Sequence, residues 1–190
     1  MTKHFYKDPD IRFDIRRLQK DLEVIDSIVA RQSPLGERDI NAICLTQIPG
    51  DPNSITGGNV RGLFWTRPDS TGVEVQREEI INESQYTEFV KLFDDTYYKE
   101  VYDTLLTKYK LGRVRLLWKL PRTTLSWHRD PEKRLHIPIK TNPGALMVID
   151  NEVLHMPADG TVWITDNTKY HNAFNGGEED RVHLVATILG

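Results

Sequence analysis

At Gly112 the hydrophobic rhythm of the chain changes period, and that change limits the fold more than any other feature. Before it, apolar residues recur at three- and four-residue steps: Ile11, Ile15, Leu18, Leu22, Ile25 and Val29, then Phe89, Phe93, Tyr97, Val101, Leu105 and Tyr109. After it, Val114, Leu116, Trp118 and Leu120 alternate with Arg113, Arg115 and Lys119. The first spacing is that of amphipathic helices, the second that of a strand with one apolar face. Asp8-Pro9 offers a cap and a first-turn proline for a helix stopping at Ser33-Pro34. For the second helix, Asn82 or Ser84 is available as cap and Gly112 as terminator. A strand is expected over residues 42–47, and residues 48–62, rich in Pro, Gly, Asn, Asp and Ser, read as a loop. Beyond Gly112, further strands are expected at 134–139, 146–149, 161–165 and 181–188. Turn material separates them: Asn142-Pro143-Gly144, Ala158-Asp159-Gly160 and Asn175-Gly176-Gly177. Many short strands with turns between them predict a sandwich or barrel. At 190 residues the chain reads as one domain, 1–190, with a helical and loop-rich part over 1–112 and a β core over 113–190. The class is α+β, mainly β, with the helices packed outside the core.

Composition removes several functions. The longest uninterrupted apolar run, Ala145-Leu146-Met147-Val148-Ile149, is far short of a bilayer span of about 20 residues, so no membrane is expected. A net charge of -3 lacks the basic footprint of a duplex-binding domain, so no nucleic acid is expected either. The first ten residues hold no apolar block, and Cys44, the one cysteine, cannot form an internal disulfide. Both features point to a cytoplasmic setting. A small-molecule or peptide substrate remains the natural partner. There is no Gly-x-Ser-x-Gly for a hydrolase, and His128-Arg129-Asp130 lacks the residues that follow it in a kinase catalytic loop.

Five of the six histidines, His128, His136, His155, His171 and His183, lie in the β-rich final third. In an extended segment, residues two apart face the same side, so His128 and Asp130 converge on one point. A third donor would complete two imidazoles and a carboxylate, the set suited to non-haem Fe(II) with positions left open. His171 is the best candidate, carried back across the barrel from beyond the strand at 161–165. Two strands repeat one pattern, Arg134-Leu135-His136-Ile137 and Arg181-Val182-His183-Leu184, with Arg and His on one face and apolar residues on the other. If that polar face points inward, an arginine there can clamp a carboxylate through two parallel hydrogen bonds.

These residues resemble the Fe(II)/2-oxoglutarate-dependent oxygenases, in the branch of aspartyl/asparaginyl β-hydroxylase and the cis-proline hydroxylases. The resemblance covers residues 116–188 and runs in order. It comprises Pro121, His128-Arg129-Asp130, the strand Arg134-Leu135-His136-Ile137-Pro138-Ile139, the turn Asp159-Gly160-Thr161-Val162-Trp163, Asp166-Asn167 with His171, and Arg181 ten residues later. It departs at Asp130, where the β-hydroxylase has glycine, at Arg122, where the family has the glycine of a Pro-Gly turn, and at Leu117, where a hydroxyl residue often helps bind 2-oxoglutarate.

The resemblance implies a double-stranded β-helix, the cupin-like jelly roll. Fe(II) would sit on His128, Asp130 and His171, with 2-oxoglutarate chelating it and its far carboxylate on Arg181. Arg134 would support 2-oxoglutarate or hold a substrate carboxylate, and His136 and His183 would donate to the groups around the metal, His136 at the cosubstrate, or contact substrate, rather than add a ligand. The implied reaction consumes O2 and 2-oxoglutarate and hydroxylates an amino acid, an Asp/Asn-type peptide side chain or another small carboxylate. Substrate choice is expected from the loop over residues 48–71. Trp118, Trp127 and Trp163 are expected to pack the barrel, with room for one of them to line the pocket, Arg129 to point away from the metal, His155 to lie in a turn, and Asn172 and Asn175 to shape the turn after His171. The rival reading is a non-catalytic or other-metal cupin-like module, closed by His136 or His155 as a fourth ligand.

Overall fold

The computed structural model describes residues 2–32, 42–55, 62–67 and 69–190. The alternating segment after the helices becomes β7 (Leu111–Lys119), flanked in a six-stranded antiparallel sheet by β2 (Ala42–Cys44) and β15 (Arg181–Ile188). Outward from β15 come β10 (Arg134–Lys140), β13 (Thr161–Thr165) and, at the edge, β1 (Phe5–Arg12). A second sheet runs β12 (Glu152–Leu154), β11 (Ala145–Ile149), β14 (His171–Asn175), β9 (His128–Arg129), β4 (Phe64–Thr66), β5 (Glu74–Gln76), and β8 (Thr123–Thr124) also pairs with β14. A small ribbon joins β3 (Thr46–Gln47) to β6 (Glu88–Phe89). From β7 onward the chain passes repeatedly from one large sheet to the other, which is the winding of a double-stranded β-helix.

Period-two alternation decides what each face of the six-stranded sheet meets. Val114, Leu116, Leu135, Ile137, Val182 and Leu184 are at most 1% exposed and share one cluster with Leu18, Leu22 and Ile25 of α1 (Ile15–Gln32). Tyr98, Val101 and Leu105 of α2 (Tyr97–Leu106) complete that cluster. Each such side chain contributes about 1.5–3 kcal/mol by leaving water, so the helices are held on the outside of the sheet. The two helices are tied together by the Tyr98 hydroxyl, which donates to the Leu18 carbonyl at 2.8 Å. Arg115, Leu117, Lys119, Arg134, His136 and Arg181 turn the other way, into a cavity of about 230 Å³ between the sheets.

Several expected boundaries are corrected. Asp8-Pro9 does not start a helix: both residues lie in β1, whose ladder to β13 is interrupted between Lys7 and Arg12. An edge strand tolerates a residue without an N–H donor, as Pro9 is. The cap is Asp14, whose Oδ1 accepts from the Arg16 and Arg17 N–H groups at 2.9 and 3.2 Å. The stop expected at Ser33-Pro34 falls outside the described residues.

The second helix is only ten residues long. Asn82 caps a 3-10 turn, Glu83–Gln85, Phe89 belongs to β6, and Phe93 belongs to another 3-10 turn, Lys91–Phe93. These aromatic rings are all buried in the same cluster, but successive turns rather than one helical stripe bring them there. Gly112 does not end a helix; it lies in β7, where a Cβ would sit 2.5 Å from the Glu83 carbonyl oxygen. Its missing side chain lets the Glu83 turn close onto the strand.

The segment over 48–62 includes a 3-10 turn, Pro52–Ile55, and its residues 56–61 lie outside the described part. The unanticipated β4 and β5 pair with each other and join the segment to the second sheet. Among the described residues no helix is long and apolar enough to cross a membrane.

Candidate metal centre

His128 and His171 face each other in register on β9 and β14, with ring centroids 4.2 Å apart. His171 therefore arrives from the neighbouring strand of the same sheet, not from across the barrel. Asp130 is fastened by its N–H to the Asn167 carbonyl at 2.8 Å. One donor atom from each of His128, Asp130 and His171 can be chosen so that all lie within 4.8 Å of one another, and all three residues are buried. The Nε2 atoms of His128 and His171 lie 3.9 and 3.8 Å from Asp130 Oδ1 and Oδ2.

The tautomers suit a cation. His128 Nδ1 lies 2.6 Å from the Ser126 carbonyl and His171 Nδ1 lies 3.0 Å from that of Lys169. With Nδ1–H donating to a carbonyl, each Nε2 keeps its lone pair. In the described structure the His171 Nε2 lone pair accepts from Asn167 Nδ2 at 2.9 Å, a bond that an ion at Nε2 would replace, while Asn167 Oδ1 accepts from Thr165 Oγ1 at 2.5 Å. Burial pulls His171 down to about 4, so its ring is neutral near pH 7. Burial works to raise Asp130, but the charge of Arg134 beside it, with the two histidines, holds its carboxyl below the ordinary value. Asp130 Oδ1 is buried without a hydrogen-bond partner among the described residues, while Oδ2 accepts from Arg134 Nε at 2.9 Å. Two imidazoles presenting Nε2 and an anionic oxygen with an unused lone pair fit a divalent transition ion.

Arg134 has partners that the sequence did not disclose. Beyond Asp130 it pairs with Glu83, and it also donates to Thr187, whose hydroxyl donates to Glu83. Arg113 donates to Glu83 through Nε and Nη2 at 3.0 and 2.7 Å, and Arg115 lies 3.7 Å from the same carboxylate. Burial works to raise Glu83, but Arg134, Arg115 and Arg113 outweigh it and bring the carboxyl to about 2. Glu83 comes from the 3-10 turn that Gly112 admits. Its only sequence signal was the neighbouring cap, Asn82.

At the other end of the cavity, Arg181 is buried and its Nη2 lies 2.7 Å from His183 Nδ1. His136 lines the cavity with both ring nitrogens unpartnered among the described residues. Burial, then the charges of Arg181 and Arg134, keep its ring neutral. Neither His136 nor His155 joins the three-donor group, and His155 Nδ1 lies 3.0 Å from the Ala145 carbonyl. His155 follows β12 directly, in backbone that forms no turn of its own, where a turn was expected. Arg129 points away from the metal donors, reaching Glu74 at 3.2 Å and stacking 4.3 Å over Phe64. Trp118 and Trp163 are buried, whereas Trp127 is half-buried and stacks on Tyr170 at 6.0 Å, outside the barrel packing expected of it. Asn172 and Asn175 lie in β14 itself, and Asn175 Nδ2 donates to the Lys119 and Glu179 carbonyls at 2.9 and 2.7 Å. Gly62 abuts the first ligand candidate, since a Cβ there would lie 2.5 Å from His128 Cδ2.

A cupin-like jelly roll with this enclosed donor set sets the class. The chain belongs to the aspartyl/asparaginyl β-hydroxylase family, whose sequence model matches residues 82–189, more than half of its length. It is thus an oxidoreductase of the oxygenase or hydroxylase type. No curated protein matches it in sequence. Among solved structures, AviO1 from Streptomyces viridochromogenes Tue57 is similar at 16% identity and a TM-score of 0.50, over 98% of this chain and 90% of that one. An oxidoreductase of the 2OG-Fe(II) oxygenase family from Burkholderia pseudomallei aligns at 16% identity and a TM-score of 0.47, over 97% and 84% of the two chains. The viral collagen prolyl hydroxylase of Paramecium Bursaria Chlorella virus-1 aligns at 11% identity and a TM-score of 0.48, over 98% and 96%.

Proposed function

We propose that this protein is a non-haem Fe(II)- and 2-oxoglutarate-dependent dioxygenase that hydroxylates an amino acid, an Asp/Asn-type peptide side chain or another small carboxylate. The observation that carries this reading is the convergence of His128, Asp130 and His171 inside a cavity, with one carboxylate oxygen left unpartnered. Iron, 2-oxoglutarate and O2 together supply the oxidation: one oxygen atom enters succinate as CO2 leaves, and the other converts a substrate C–H into C–OH.

The chain's own residues bind and orient. His128 and His171 offer Nε2 because their Nδ1 protons are committed to the Ser126 and Lys169 carbonyls. Asp130 offers Oδ1 while Arg134 holds Oδ2, so Arg134 is a positioning residue here rather than a contact of cosubstrate or substrate. Arg181 receives the far carboxylate of 2-oxoglutarate, as a buried guanidinium without a carboxylate partner among the described residues is suited to do. His136, with two free nitrogens, meets the bound cosubstrate or substrate. Leu117, Met147 and Ala173 supply apolar lining that limits water.

The test is the visible spectrum of the protein mixed anaerobically with Fe(II) and 2-oxoglutarate. A charge-transfer band is expected in the wild type and not in His171→Ala. Folded, Fe(II)-loaded wild-type protein that gives no band at saturating 2-oxoglutarate would overturn the reading.

A further inference from the structure

The arrangement above uses Arg181 but leaves a second cation beside it without a role. Lys119 of β7 pairs directly with Arg181 of β15, shares the cavity face with Leu117, and is only 9% exposed. Directly opposed residues have Cβ atoms about 4.5–5.5 Å apart, so the two side chains start from the same depth. The other buried cations of the barrel are matched by the chain's own carboxylates: Arg113, Arg115 and Arg134 share Glu83, and Arg134 also holds Asp130. Among the described residues no carboxylate forms an ion pair with Lys119 or Arg181, and the Arg181 guanidinium meets the His183 ring instead. Burying two adjacent cations is costly unless an anion joins them. Burial first, then the charge of Arg181, pull Lys119 down to about 8, which fits that crowding.

We propose that Lys119 and Arg181 together hold the far carboxylate of 2-oxoglutarate, one cation from each of two paired strands. Leu117 provides no hydroxyl on this face, and Lys119, two residues along it, supplies the second donor. One carboxylate has two oxygens and about four acceptor sites, enough for both cations. A substrate carboxylate would call for a cation displaced from Arg181, whereas Lys119 stands directly opposite it. The inference rests on the proposed function and adds a binding residue to it.

The experiment is calorimetric binding to the full-length Mn(II)-loaded protein, comparing 2-oxoglutarate with 2-oxobutyrate, which has the keto-acid head but no far carboxylate. Lys119→Met and Arg181→Met are each expected to weaken 2-oxoglutarate roughly 10- to 100-fold, the loss of one charge-assisted hydrogen bond. Both should leave 2-oxobutyrate within about 2-fold, since its contacts are elsewhere, and Lys119→Arg should keep most of the affinity for 2-oxoglutarate. Wild-type affinity for 2-oxoglutarate in Lys119→Met, with 2-oxobutyrate binding intact, would overturn the inference while the proposed function stands. Loss of both keto acids in Lys119→Met and in Lys119→Arg would mark a structural role and overturn it too. Wild-type Mn(II) protein that binds neither keto acid would remove the proposed function itself, and this inference with it.

Discussion

Arg134 joins two buried carboxylates that lie far apart in sequence, Asp130 in the candidate metal site and Glu83 in an N-terminal 3-10 turn. Replacing Asp130 by Ala removes one of three donors and is expected to lower Fe(II) affinity by at least about 100-fold, beyond the range seen for outer partners, and to abolish iron-dependent turnover. Undiminished activity would place the ion on the two histidines alone. Arg134→Gln should cost about 10–100-fold in Fe(II) affinity, measured by metal titration. Arg134→Lys should not rescue it, because a point charge cannot serve both carboxylates as a planar fork does. Glu83 has a signed pH signature. Its carboxyl falls from 4.5 to about 2 in the folded protein. It therefore contributes stability above the unfolded value, on the order of 3 kcal/mol, and that contribution is lost as pH falls from about 4.5 through 2. Urea midpoints taken between pH 7 and 3 should fall more steeply in the wild type than in Glu83→Gln, which itself should lose on the order of 3–5 kcal/mol at neutral pH. The two-residue spacing placed His128 and Asp130 on one face, and the ordered motifs around them gave that pair its weight. Glu83 was not, because nothing local in Asn82-Glu83-Ser84 signals three arginines on distant strands.

Among the elements, strands were easier to read than helix ends. The alternation in β7, β10 and β15 is long enough to show both faces, whereas α1 and β1 share apolar residues at similar spacing, and Ile11 fits either. The cap distinguishes them. Asp14→Ala should cost about 1 kcal/mol in chemical denaturation, the usual worth of an N-cap. Gly112 makes the same point for β7, because its role is set by contact with Glu83 rather than by helix termination. Gly112→Ala must push the Glu83 turn away and should destabilise by roughly 1–3 kcal/mol, with a matching loss of Fe(II) affinity as Glu83 withdraws from Arg134. A loss of stability that leaves Fe(II) affinity unchanged would show that the turn and the metal site are not coupled.

Across the whole molecule, donors from β9, its Asp130 extension and β14 meet only when the barrel is closed, so the proposed metal binding would be linked to folding. Divalent metal at about 100 times its dissociation constant should add about 2.7 kcal/mol, raising the melting temperature of a chain this size by roughly 5–10 °C. Chelation should reverse the shift, and His128→Ala should show none; equal shifts in thermal melts of both proteins would place the ion elsewhere. By itself the sequence determined the mainly β class of the final third and the pairing of Arg with His on two strands, because these depend on residue type and on the two-residue repeat of a strand, and it nominated His128, Asp130 and His171 as metal donors. Only the tertiary structure decided that the polar face looks into a cavity, that His171 stands beside His128, that Glu83 anchors Arg134 and that Lys119 opposes Arg181. Alternation tells which side chains share a face. What that face meets depends on strand order and on the packing of distant segments, and no local pattern encodes it.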